Sequence, residues 1–103
     1  MNTKEEIIEN LKIWLRKTNV ISYDKDIGFR CWDKELETLR DGKTEKEVYV
    51  VSFKTEDYIT YDKKGEIDMF IEGMYCFAVF DAETLNLLYI KKKIGYIEVD
   101  GSY

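Results

Sequence analysis

The chain has 103 residues, room for one hydrophobic core and not for two. Its 21 acidic residues outnumber 16 basic ones, a net of −5, which argues against the clustered Lys and Arg that neutralise nucleic-acid phosphates. It contains no His, so Ser-His-Asp and Cys-His nucleophile pairs, the commonest general base and most zinc sites fall away together.

Eight Tyr, five Phe and two Trp put much of the apolar content in rings, which suits a pleated sheet and speaks against disorder. Cys31 and Cys76 are the two cysteines, and a chain of this size does not need them bridged. The start lacks the basic-then-apolar order of a signal peptide, and no apolar run approaches the roughly 20 residues that span a bilayer. The expectation is one cytoplasmic domain over 1–103, with both thiols reduced and buried and no membrane association.

In chain order, Thr3 followed by Glu6 has the form of a capping box. Ile7, Ile8, Leu11, Trp14 and Leu15 then fall on one helical stripe about 120° wide, the face that packs. Ile13 lies off that stripe, on the water side. Glu5, Glu6 and Glu9 precede Lys12, Arg16 and Lys17, matching the helix dipole, and Asn19 can take the left-handed stop conformation.

Phe29-Arg30-Cys31-Trp32 reads as a strand. The segment 33–41 fits two structures. Asp33 can cap a short helix with Leu36 and Leu39 on one side, or a strand can run to Arg40 and turn at Asp41-Gly42. The Leu spacing gives the helix the edge. From Glu47 onward the pattern is strand. Val48 to Phe53 is apolar on both faces, as a central strand requires. Two hairpins follow: Tyr58–Tyr61 turning through Asp62–Gly65 into Glu66–Glu72, and Tyr75–Phe80 turning through Asp81–Thr84 into Leu85–Ile90. Each turn opens on an Asp whose carboxylate can accept from backbone amides two residues on. Gly73 separates the two units. Lys91-Lys92-Lys93 discourages edge-to-edge pairing at a strand end, and Tyr96–Val99 is a last short strand.

The fold class is therefore α+β: an N-terminal amphipathic helix packed on one face of a curved antiparallel sheet built from hairpins. The other face is exposed, cupped round a cavity or used in association. Asp24-Lys25-Asp26 with Glu35 at the twelfth place has the outline of a calcium loop. However, its fifth position is Gly28 where an oxygen is wanted, and its sixth is Phe29 where Gly is needed. No Gly-rich phosphate loop exists. No catalytic, cofactor-binding or metal residue is assigned, and no cofactor is expected.

Glu47-Val-Tyr-Val-Val-Ser-Phe53, followed by the strand, Asp-initiated turn and strand of Tyr75 to Ile90, resembles small bacterial proteins with a cystatin-like or NTF2-like helix-on-sheet core. It is most similar to immunity proteins that accompany polymorphic toxins. Where that family has Gly after the turn Thr, this chain has Leu85. The resemblance implies a non-catalytic, stoichiometric inhibitor of a basic toxin domain, with no nucleic-acid partner. The acidic turns at Asp24, Asp26, Glu56 and Asp57 are the expected contacts. Two alternatives stand beside it: a small-ligand pocket protein or small enzyme on the same fold, and a homodimer with a structural role.

Overall fold

A computed structural model describes residues 3–19, 22–23, 27–93 and 95–100. Helix α1 spans Thr3–Thr18 and buries Ile7, Leu11 and Leu15, with Ile8 and Trp14 packed at the margins and Ile13 facing water. The stripe read from the sequence is thus the packing face. The Trp14 indole donates to Val99 O at 2.9 Å, tying the helix to the far end of the chain. The helix stops at Asn19, whose φ of 51° lets its amide bond back to Leu15 O at 2.9 Å.

The strands are β1 (Arg30–Cys31), β2 (Glu35–Thr38), β3 (Glu45–Lys54), β4 (Tyr58–Tyr61), β5 (Ile67–Ile71), β6 (Tyr75–Asp81), β7 (Leu87–Lys91) and β8 (Tyr96–Glu98). Six of them form an antiparallel sheet. β1 and β2 pair in succession along one edge of β3, and β6, β7 and β8 follow on its other side. The β-branched and aromatic run 48–53 is central, as its two apolar faces require.

Strand alternation sorts the sheet residues into two faces. Val51, Phe53, Cys76, Ala78, Phe80, Ile90 and Ile97 meet the helix and are all essentially inaccessible. Cys31 shares this side half-buried, so the expectation of two buried thiols holds fully only for Cys76; both are free.

Two expectations are corrected. The helix over 33–41 does not form: Glu35–Thr38 is a strand paired to β3 in register Glu35↔Val48 through Thr38↔Glu45. Two leucines bury too little to hold a helix face, whereas the Asp41-Gly42 turn is chemically complete. Asp41 Oδ1 accepts the amides of Lys43 at 2.9 Å and Thr44 at 2.8 Å, and Gly42 takes φ 72°. The lysine run is also not at a sheet edge, since Lys91 lies on β7, between Phe77 of β6 and Tyr96 of β8.

The Asp-initiated turns form as read. Asp62 Oδ1 accepts from Lys64 N at 2.9 Å and Glu66 N at 3.0 Å. Asp81 Oδ1 accepts from Glu83 N at 2.8 Å, its second oxygen pairs with Lys46, and the side chain is buried. The Lys46 ammonium and these amide bonds hold the Asp81 carboxyl below its ordinary value. A carboxyl lowered on folding stabilises the fold above its unfolded value near 3.8 and loses that contribution as pH falls through the folded value. Denaturant melts at pH 6 and pH 2.5 should therefore show a smaller acid loss for Asp81→Asn than for the parent chain. An equal loss would remove Asp81 from the acid transition.

Candidate functional site

Two surfaces stand out, and neither is the helix-facing core. The first is the β4–β5 hairpin, which pairs in register Tyr58↔Ile71, Ile59↔Phe70 and Thr60↔Met69 and, among the described residues, belongs to no larger sheet. The sequence reading counted it as part of the main sheet; instead it forms a separate two-stranded arm. Its side chains are apolar on both faces and lack cover: Tyr61 and Ile67 are each 62% exposed, Phe70 54% and Ile71 50%. A lone hairpin is marginally stable in water, and contiguous exposed apolar surface marks interaction sites.

The root of this arm is well built. Thr55 N donates to Met74 O at 2.9 Å, and Met74 N donates to Thr55 Oγ1 at 2.9 Å. Asp57 Oδ1 accepts Gly73 N at 2.7 Å, while Glu56 N donates to Ser22 O at 3.0 Å. At Gly73 a Cβ would stand 2.0 Å from Thr55 O, so glycine is required by close backbone approach.

Of the four acidic residues singled out from sequence, Glu56 and Asp57 lie exposed at this root, and Asp24 and Asp26 fall outside the described residues. The structure gives Asp57 a positioning role through Gly73. The arm's own charge escaped the sequence reading. From 56 to 72 there are six carboxylates (Glu56, Asp57, Asp62, Glu66, Asp68, Glu72) against Lys63 and Lys64, a net of −4 in a chain of net −5. A charge count by segment would have found it.

The second surface is the sheet face away from α1. The β2–β3 connection places the Arg40 guanidinium over Tyr96, 4.1 Å from the ring centroid, and 5.4 Å from that of Tyr89, where it also pairs with Glu98. This contact bridges one edge of the sheet to the other. On the same face Val48 is fully buried and Val79 is 6% exposed, although both point away from the helix. What remains of the face is a pocket of about 640 Å³ lined by Trp32, Val50, Phe77, Val79 and Tyr89, with Glu35 and Glu37 on β2 and Lys91 to Lys93 among its charged lining. Burial raises the Tyr89 hydroxyl above its ordinary value, and a hydrogen bond with Glu37 raises the Glu35 carboxyl.

No protein-family model matches the chain, and neither the curated proteins nor the solved structures gave a significant match. Function therefore rests on the chemistry of these surfaces. Among the described residues no cluster of His, Cys, Asp and Glu could hold a metal ion, and no helix is long and apolar enough to cross a membrane. Burial pushes the Cys31 and Cys76 thiols above their ordinary value, opposite to the direction that activates a nucleophile.

Proposed function

We propose that this chain is a non-catalytic, stoichiometric protein-binding module that inserts its β4–β5 arm into a basic partner. On this reading it is an immunity-type inhibitor of a toxin domain, with a cystatin-like or NTF2-like helix-on-curved-sheet core, working in the cytoplasm. The observation that carries it is the arm, which combines apolar side chains on both faces with most of the chain's net negative charge.

Aromatic residues and Met are enriched at protein interfaces, and the arm presents Tyr58, Tyr61, Met69 and Phe70. The carboxylates steer encounter with a basic surface, and the rings supply the anchors that set residence time. The same charge disfavours a second copy as occupant, because two arms of net −4 repel.

The test is capture of the partner from the native host, then association kinetics at two ionic strengths. Glu66→Lys, Asp68→Lys and Glu72→Lys together leave the Asp62 turn and the Asp57 root intact. They should slow association by about tenfold or more and flatten its salt dependence, with a smaller change in dissociation. A partner whose association ignores these three charges would overturn the arm as the contact.

A further inference from the structure

The pocket on the face away from α1 is a second site and does not depend on the arm. Its floor is the cross-strand pair Val50 on β3 and Val79 on β6. Trp32 lies level with Val50 on one side, its amide donating to Val50 O at 2.9 Å, and Tyr89 is the register partner of Val79 on the other. Four apolar side chains thus form one row across the sheet, with a ring at each end, about 14 Å apart at the backbone. The volume of about 640 Å³ lies within the roughly 300–1,000 Å³ usual for small-molecule sites.

The next row on this face, two residues along each strand, reads Arg30, Ser52, Phe77 and Lys91. It holds two cations, a hydroxyl and an exposed ring, and no carboxylate. Lys91 is the direct cross-strand neighbour of Phe77, and side chains so placed are about 5 Å apart at Cβ. Among the described residues no carboxylate pairs with Lys91. The acidic lining, Glu35 and Glu37, belongs to β2 and lies at the opposite end, level with Val48 and Lys46. Trp32, the ring on the same edge of β3 as these acids, already holds the Arg30 guanidinium 3.9 Å from its centroid. A cationic ligand would meet like charge there, whereas the Phe77 end offers an open ring beside an unpaired ammonium.

We propose that this pocket binds a small planar aromatic carboxylate, about the size of cinnamate. The ring plane lies on Val50 and Val79 and against Phe77, between the Trp32 and Tyr89 walls. The carboxylate accepts a hydrogen bond from Lys91, which sets its direction in the pocket.

Titration of isotopically labelled protein with cinnamate, followed by NMR, should move the Trp32 indole signal and the amides of Val50, Phe77, Val79 and Tyr89 along one saturable curve. Neutral cinnamamide should bind about tenfold more weakly, the scale of one lost charged hydrogen bond, and cationic cinnamylamine more weakly still. Lys91→Met should abolish the preference for acid over amide, while Trp32→Leu should weaken both ligands by the same factor. Both positions are exposed, and unchanged amide signals on the helix-facing side show that each variant is folded. The arm variants Glu66→Lys, Asp68→Lys and Glu72→Lys should leave the titration unchanged, which separates this site from partner binding. No saturable shift up to about 10 mM, shifts confined to the arm, cinnamylamine binding as tightly as cinnamate, or an acid preference that survives Lys91→Met would overturn the proposal.

Discussion

Replacing Phe53 with Ala should destabilise the fold by about 3–5 kcal/mol, the usual range for removing a fully buried ring. Phe53 is 1% exposed on the helix-facing side of β3, paired in register with Cys76, and its ring centroid lies 5.7 Å from that of Phe29. It packs in one cluster with Cys76 of β6, the helix residues and Phe29 in the segment entering β1, so no single neighbour can move in to close the space. A domain of this size has only about 5–15 kcal/mol of stability in total, and a loss on this scale shifts the denaturant midpoint strongly with an unchanged slope. A measured loss under about 1 kcal/mol would mean that the ring is not in the core.

Among the described glycines, Gly73 is the one at which an added methyl group meets the backbone, so Gly73→Ala should have a large effect. The new Cβ would meet the Thr55 carbonyl oxygen at 2.0 Å, a backbone atom that cannot rotate away. The strands must separate there, breaking the Thr55–Met74 pair and the bond from Gly73 N to Asp57. Overpacking of this kind costs roughly 1–3 kcal/mol, and the lost hydrogen bonds add to it. Because the damage falls at the arm's root, partner affinity should drop further than stability does. Asp57→Asn keeps the backbone and one accepting oxygen, and should be milder on both counts. Equal stability of Gly73→Ala and the parent chain would show that the close approach is not needed.

The parts of this fold legible in the sequence are those encoded locally. The helix face followed from the spacing of Ile7, Leu11, Trp14 and Leu15, its end from Asn19, and two turns from Asp62 and Asp81. Leu85 is an instructive exception: it holds φ 61°, a backbone state that favours Gly, and does so while packing against the core. In segment 33–41 the helical spacing of two leucines points away from the observed strand, because the Asp-Gly turn and pairing with β3 outweigh so small an apolar face.

The candidate sites depend on long-range placement. Nothing near Tyr58 or Ile67 says that their hairpin lacks neighbours; that follows from where Gly73 returns the chain to Thr55. Likewise Trp32, Glu37, Val79, Tyr89 and Lys91 come together only because β1, β2, β6 and β7 assemble around β3. Alternation of Tyr89 and Lys91 around buried Ile90 was a readable hint that these two share a face.

Hydrogen exchange of the arm amides, in the free chain and in the purified complex, tests the proposed function most directly. In the free chain the amides of β4 and β5 should exchange orders of magnitude faster than those of β3 and β6, because a lone hairpin opens easily. In the complex they should become protected, while the α1 face and the pocket strands change little. Protection that appears elsewhere and leaves β4 and β5 exchanging as in the free chain would contradict binding through the arm.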